Sequence, residues 1–275
     1  MREVRRERCF NTPLQTHLFN DVLDEKISEA KRIISDFSGR NAWVSFSGGK
    51  DSVVLLDLVS RVFNRFKVVY ASVPSNTHPI CDEYVRSIIE RYDCEFYHVS
   101  SHHDFWELFA KWGYPCRNRW CLGHFKDVPI RKVTGGKGVG FVGVRRDESS
   151  ARLKRYSKRR FVFKPTKTNS YKWVRIAVAP LLNWTSVDIN AYISREKIPL
   201  NPLYRIVGWS CNCVFCPFLS SEKKREFFFN PVLSSFREMW MRCHEEITQK
   251  GNKGCKVVWE IWHEKYKKLK KGELR

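Results

Sequence analysis

The feature that most constrains this chain is a pair of glycines between two apolar runs: Ala42-Trp-Val-Ser-Phe46, then Ser47-Gly48-Gly49-Lys50-Asp51-Ser52, then Val53-Val-Leu-Leu-Asp-Leu-Val-Ser-Arg-Val-Phe63. The first run is short and β-rich and the last is long enough for a helix, so the order is strand, Gly-rich loop, helix. Two glycines let the backbone turn tightly and approach a ligand with no Cβ in the way, while the helix aims its first N–H groups at the same spot. Lys50 adds a cation, and Ser47 and Ser52 add hydroxyls. The loop therefore predicts a cradle for a pyrophosphate group. It is neither the G-x-x-x-x-G-K-[ST] loop nor the G-x-G-x-x-G turn. A plain strand-to-helix turn is the alternative, but Lys50 and Asp51 would add nothing to its packing.

The alternation continues along the chain. Lys67-Val-Val-Tyr-Ala-Ser-Val73 reads as a strand, residues 80–92 as a helix, Glu95-Phe-Tyr-His-Val99 as a strand, and Gly138-Val-Gly-Phe-Val-Gly-Val144 as another. Such spacing predicts an α/β fold, a doubly wound and mainly parallel sheet covered on both faces. Before it, Leu14, Leu18, Val22, Ile27, Ile33 and Phe37 recur at helical spacing, with a stop at Ser38-Gly39. After it, residues 185–193 read as a helix capped by Thr185. From Trp209 come a cysteine cluster and two helical stretches, the second with Val258, Ile261, Trp262, Tyr266 and Leu269 on one face. The expected organisation is an N-terminal helical extension (1–38), a nucleotide-binding domain (39–208) and a Cys-rich, basic, helical C-terminal region (209–275).

With 275 residues, 43% of them apolar, the chain can bury one large core. No run reaches eighteen apolar residues and residues 1–8 are dense in charge, so the expectation is a cytoplasmic protein with no membrane partner. In a reducing compartment its ten cysteines point to metal or chemistry rather than to disulfides. A net charge of +21 favours polyanionic partners, with a solvated lysine surface as the plainer explanation.

Further motifs narrow the choice. Residues 143–152 read Gly-Val-Arg-Arg-Asp-Glu-Ser-Ser-Ala-Arg, residues 180–189 read Pro-Leu-Leu-Asn-Trp-Thr-Ser-Val-Asp-Ile, residues 198–204 read Ile-Pro-Leu-Asn-Pro-Leu-Tyr, and Gly208 precedes Cys213-x-x-Cys216-Pro217. The Ser47–Ser52 loop resembles the PP-loop of the ATP pyrophosphatase superfamily. The later segments resemble the G-[IV]-R-x-x-E-S-x-x-R and following blocks of its phosphoadenosine phosphosulfate (PAPS) reductase family. That resemblance spans about residues 41–218 and implies a HUP-like PP-loop fold. It places Ser47, Gly48, Gly49, Lys50, Asp51 and Ser52 on the phosphates of ATP, or on PAPS or adenylyl sulfate, and suggests Arg145 and Arg152 as further anion contacts, with Lys50, Asp51 and Arg145 as the catalytic set. Two arginines at this spacing can grip phosphate bidentately; an i,i+4 ion pair between Glu148 and Arg152 is the alternative. After the second strand the chain departs from the family's Pro-Glu-Thr, reading Asn76-Thr-His-Pro79.

Five thiols sit in two knots, Cys116 with Cys121 and Cys211 with Cys213 and Cys216. Four thiolates suit zinc or an iron–sulfur cluster, and spacing does not separate them. The resemblance implies a four-iron cluster (4Fe-4S) on Cys121, Cys213 and Cys216, with Cys116 or Cys211 as the fourth ligand. Cys9, Cys81, Cys94, Cys243 and Cys255 stand alone and read as packing residues.

Two reactions fit. In one, ATP binds with Mg2+, an acceptor attacks the α-phosphorus, pyrophosphate leaves through the loop, and a sulfur nucleophile displaces AMP. In the other, PAPS or adenylyl sulfate is reduced to sulfite. The intact Gly-Gly-Lys-Asp-Ser core and the lack of a C-terminal Cys-Gly-x-His segment favour the first. A non-catalytic nucleic-acid-binding module with structural zinc is a third class. Arg155, Lys158, Arg159, Arg160, Lys164, Lys167 and Lys172 interleave with Tyr156, Phe161, Phe163, Tyr171 and Trp173, the composition of a tRNA or DNA surface or of a solvated hairpin. A sulfur or electron donor protein would complete the partners, and a homodimer is compatible with all of this.

Overall fold

A computed structural model of the chain describes residues 13–116, 119–156, 161–164 and 173–273. At its centre lies one sheet of β1 (Ala42–Phe46), β2 (Lys67–Ala71), β3 (Glu95–Val99), β4 (Val139–Phe141), β5 (Val162–Phe163) and β6 (Ile176–Val178), ordered β3-β2-β1-β4-β6-β5. Every pairing is parallel except β5 with β6, an antiparallel edge. Because the chain moves outward through β2 and β3 and then returns to β4 on the far side of β1, the sheet changes winding direction between β1 and β4. In such sheets a crevice opens beyond the carboxyl ends of those two strands.

The alternation of side chains explains why the strand sequences are apolar throughout. Val44 and Phe46 of β1 and Val68 and Tyr70 of β2 enter one buried cluster, while Trp43, Val69 and Ala71 enter the other. Helices α1 (Pro13–Ser35), α2 (Lys50–Ser60) and α3 (Pro79–Ile89) follow the predicted runs. His78 caps α3 ahead of Pro79, and its imidazole accepts from the N–H of Ile80 at 3.3 Å. Between β3 and β4 the sequence pattern predicts no element, yet the structure holds α4 (Phe105–Trp112), α5 (Trp120–Leu122), a π-helical turn (Gly123–Asp127) and α6 (Val128–Thr134). These helices are short; the start of α4 is marked by its cap, where Asp104 accepts from the Trp106 N–H at 2.7 Å.

α7 (Ser150–Arg155) follows β4, and α8 (Ser186–Arg195) follows β6 behind Thr185 and Asp188, which accept reciprocally from each other's N–H. Beyond α9 (Leu203–Ile206) the tail carries three helices rather than two: α10 (Ser221–Phe229), α11 (Ser234–Gln249) and α12 (Lys256–Lys270). The expected apolar face of α12 is corrected at one position. Trp262 is buried and Val258, Tyr266 and Leu269 pack beside it, but Ile261 is exposed, since it lies one step round the helix from that stripe. The tail helices share one continuous buried cluster with α1, α2 and α3.

Residues 1–8, Cys9, Lys158, Arg159, Arg160, Lys167, Tyr171 and Lys172, and the side chain of Arg155, lie outside the described residues. No described helix is long and apolar enough to cross a membrane.

Inside the tail, His244 is fully buried. Its Nδ1 meets the Tyr114 hydroxyl at 2.8 Å and its Nε2 meets His263 Nδ1 at 3.0 Å, with Tyr266 and Glu245 beside it. Burial, reinforced by His263, pulls His244 down to about 4 from an ordinary 6.5. Between those values the unfolded chain holds the extra proton, so stability falls as pH drops from 6.5 towards 4, by on the order of 3 kcal/mol. Urea midpoints measured across that range are expected to show the loss, and His244→Gln is expected to flatten it; equal slopes in both proteins would overturn the assignment.

Candidate active site

β1 ends at the crevice, and the chain turns there through Gly48 at φ 68°, a left-handed conformation that disfavours any side chain. A Cβ at Gly48 would also press on Cys81 Sγ at 3.0 Å and Val85 Cγ2 at 3.1 Å. Ser52 Oγ is the hub of the loop. It accepts from the N–H of Ser47 and of Gly49, each at 3.2 Å, lies 3.1 Å from Ser47 Oγ, and donates to the Gly49 carbonyl at 2.8 Å. Just beyond β4, Gly143 backs the start of α2: a Cβ there would stand 3.2 Å from the Asp51 carbonyl group and 3.3 Å from the Ser52 nitrogen. The first N–H groups of α2 have no acceptor within their own helix, the arrangement that favours an anion at a helix N-terminus. Among the described residues Lys50 Nζ touches only a neutral group, 3.4 Å from Asn190 Oδ1.

The two predicted arginines are placed differently. Arg145 is 3% exposed, and its guanidinium is engaged by Asp51 at 2.6 Å, Asp147 at 3.2 Å, Ser186 Oγ at 3.2 Å and the Trp184 carbonyl at 3.4 Å. It therefore locks Asp51 in position. Arg152 donates to Glu148, the ion pair that its spacing left open. Arg146, which the motif leaves unassigned, has buried Nε and Nη2 atoms that find no acceptor among the described residues.

The cysteine segment is fastened to the loop by residues whose roles the sequence did not reveal. Asn201 donates to the Gly48 carbonyl at 3.3 Å and to the Ser210 carbonyl at 3.2 Å, while the Tyr204 hydroxyl accepts from the Lys50 N–H at 3.0 Å. On the other side Asn76, fully buried, donates to Cys213 Sγ at 3.2 Å and to the Phe215 carbonyl at 2.9 Å, and accepts from the Phe215 N–H at 2.8 Å. Thr77 Oγ1 donates to the Asn212 carbonyl at 2.9 Å and the His78 N–H to the Cys211 carbonyl at 3.0 Å. The departure at residues 76–79 is thus the cradle of the cysteine segment. Phe215 anchors that segment among Phe109, Trp240 and Trp262, with ring centroids 5.2, 6.4 and 5.0 Å away.

Cys121, Cys213 and Cys216 share one neighbourhood. Burial pushes Cys121 up to about 11 with Cys216 adding to the rise, and the Cys213 thiol is raised by burial and then by Cys216 and Cys121. Cys211, at φ 52°, leans towards Cys81 on the loop side. Cys116 is exposed and sits beside Cys255 instead, both as free thiols. Lys126, on the π-helical turn, is half-buried against them, donating to the Ala71 carbonyl at 2.5 Å and to Asn212 Oδ1. Burial lowers it to about 8 against the pull of Cys213. Nothing local in the sequence marks Lys126, because its partners come from three distant segments. Among the described residues no three Cys, His, Asp or Glu side chains stand at coordinating distance from a common point. The donor set nevertheless suits a soft metal centre: three thiols, an N–H donor to one sulfur, and a half-buried cation facing them.

Residues 41–217 match the family model of the phosphoadenosine phosphosulfate reductase domain. The chain is 29% identical over 236 residues to an uncharacterized protein of Methanocaldococcus jannaschii, covering 82% of this chain and 46% of that one. It is 31% identical over 215 residues to sulfate adenylyltransferase subunit 2 of Pseudomonas entomophila, covering 69% and 67%. It spans less than half the length of the first of these relatives. Similar solved structures are a phosphoadenylyl-sulfate reductase of Candida auris in a phosphate complex (TM-score 0.47, 16% identity, 71% and 92% covered) and the U34-tRNA thiolase of Methanococcus maripaludis with its [4Fe-4S] cluster (TM-score 0.46, 14% identity, 80% and 79% covered). The phosphate loop, the arginine segment and the Cys213–Cys216 pair all fall within the matched residues, and the chain belongs to the phosphoadenosine phosphosulfate reductase domain family.

Proposed function

We propose that this chain is an adenylating enzyme that splits ATP into AMP and pyrophosphate and couples the activated acceptor to sulfur transfer. The observation that carries it is the physical join between the two halves of the site: Asn201 bonds both the Gly48 carbonyl of the loop and the Ser210 carbonyl beside the cysteines. A phosphate loop alone would serve any nucleotide; one tied to a group of thiols serves nucleotide activation and sulfur chemistry together. The similarity to a sulfate adenylyltransferase subunit supports adenylyl chemistry.

In this scheme the N–H groups at the start of α2, with Ser47, Gly48, Gly49, Ser52 and Lys50, take up charge developing on the departing pyrophosphate. Asp51, oriented by Arg145, would hold Mg2+ together with phosphate oxygens. Arg146 is the guanidinium of its segment with capacity left for an anion. Cys121, Cys213 and Cys216 would hold an iron–sulfur centre, or less favourably zinc, with Asn76 tuning the Cys213 sulfur. Such a centre, when bound, supplies iron that ligates sulfur or passes an electron. Sulfonucleotide reduction is less well served. Of the two tail thiols, Cys243 is buried and pushed up to about 11, and Cys255 is a half-buried free thiol beside Cys116.

Incubating anaerobically purified protein with Mg2+ and α-labelled ATP, with and without tRNA, tests this directly. Labelled AMP and equimolar pyrophosphate are expected, from a brown preparation containing iron. Sulfite release from PAPS or adenylyl sulfate with a thiol reductant, and no AMP from ATP, would overturn the reaction; a colourless protein free of iron and zinc would overturn the metal centre.

A further inference from the structure

Two residues before Cys121 and two after Cys216 stand Arg119 and Phe218, brought together although 99 positions separate them in sequence. The Arg119 guanidinium lies 4.5 Å over the Phe218 ring. Both are on the surface, Phe218 being 41% exposed. The next helix, α10, adds Lys223, with Nζ 5.9 Å from the Trp209 ring, and Lys224, with Nζ 5.6 Å from the Trp262 ring; α12 adds Lys265, with Nζ 5.9 Å from the Phe228 ring. Among the described residues none of these four cations has a carboxylate partner. Lys224 and Lys265 are close enough to repel each other, and Arg119, Lys223 and Lys224 all act electrostatically on Cys216.

We infer that Arg119, Phe218, Lys223, Lys224 and Lys265 form a docking rim for a single-stranded nucleic acid, with Phe218 as the stacking platform for a base delivered to the thiols. The inference rests on the proposed function only in taking those thiols as the reacting end. Crowded cations without counter-charges are electrostatically costly until a polyanion covers them. An exposed aromatic ring already sandwiched by a guanidinium offers a flat face that any base can use. An acidic protein would supply the charge but leave the Phe218 face without a planar partner. The five rim residues lie outside residues 145–175 in the sequence, the stretch that carries the interleaved basic and aromatic residues.

Fluorescence anisotropy of the full chain with a labelled, unpaired RNA of about 15 nucleotides reads the rim directly. Phe218→Ala is expected to weaken binding about 5- to 150-fold, the worth of one stacked base. The double variant Lys223→Gln, Lys224→Gln is expected to flatten the log–log salt dependence by about 1.4 between ~50 and ~200 mM salt. These side chains lie at the surface, and unchanged circular dichroism and melting will show that the variants fold. Lys50→Ala is expected to keep RNA affinity while losing AMP formation. RNA bound with parental affinity and salt slope by both rim variants would overturn the inference, as would displacement of RNA by polyglutamate as effective as by an equal charge of unlabelled RNA, which would assign the rim to an acidic protein. A chain that binds RNA at the rim and forms no AMP overturns the proposed reaction and leaves the rim standing; one that forms AMP with a rim indifferent to these substitutions overturns the rim alone.

Discussion

Replacing Lys50 by Ala will slow the formation of AMP and pyrophosphate from ATP by about 100- to 1,000-fold while leaving the melting temperature of the protein unchanged. Both halves of this expectation follow from where the side chain sits. Among the described residues its ammonium contacts only the Asn190 side-chain oxygen at 3.4 Å, so its removal strands no buried counter-charge there, and surface changes of that kind usually stay within about 0.5 kcal/mol. In the reaction it is the one mobile cation of a loop whose other donors are fixed backbone and hydroxyl groups, and the charge it neutralises grows as the bond between the α and β phosphates breaks. The effect therefore belongs to kcat more than to KM. Parental turnover in a folded Lys50→Ala protein would mean that the loop does not contact the leaving group.

The second large effect is expected at Asn76. Truncation to Ala removes a donor to Cys213, a donor to the Phe215 carbonyl and an acceptor from the Phe215 N–H. Phe215 is fully buried, so its two backbone groups would be left unpaired away from water, each at a cost of about 1–3 kcal/mol. A loss of about 2–5 kcal/mol is a large share of the stability of a typical domain. The loss should also be local: the segment carrying Cys213 and Cys216 loses its register against residues 76–78, and retained iron or zinc per chain should fall with it. Asn76→Asp keeps the acceptor for the Phe215 N–H but forfeits both donors and buries a carboxylate against the Phe215 carbonyl and the Cys213 sulfur, so a loss at least as large is expected. Denaturant unfolding with metal analysis on the same samples checks this. Full metal content and stability in Asn76→Ala would show that the Phe215 ring alone holds the segment.

How much of this was legible beforehand depends on range. The β1–loop–α2 unit, the parallel sheet and the Thr185 cap are signalled by residues that act on neighbours within a few positions, and the structure realises them with small shifts in their ends. The helices between β3 and β4 are not signalled, because their stability comes from aromatic contacts such as Phe105 with Phe215, 110 positions apart in the chain. The arginines show the same division. The predicted strand of residues 138–144 stops just before Arg145, but only the folded chain reveals that Arg145 is spent on Asp51 and Asp147 while two guanidinium nitrogens of Arg146 find no acceptor among the described residues.

By itself the sequence determined the phosphate loop, the class of sheet that presents it and the thiols worth watching, since a φ above zero, an alternating apolar run and a Cys-x-x-Cys pair are properties of short segments. Tertiary structure alone decided which thiols share a neighbourhood, that Asn76, Asn201 and Lys126 hold that neighbourhood against the loop, and that Arg119 meets Phe218 at its edge. Those are pairings across tens to more than a hundred residues, selected by how buried donors and acceptors can all be satisfied at once, and no local pattern encodes that condition.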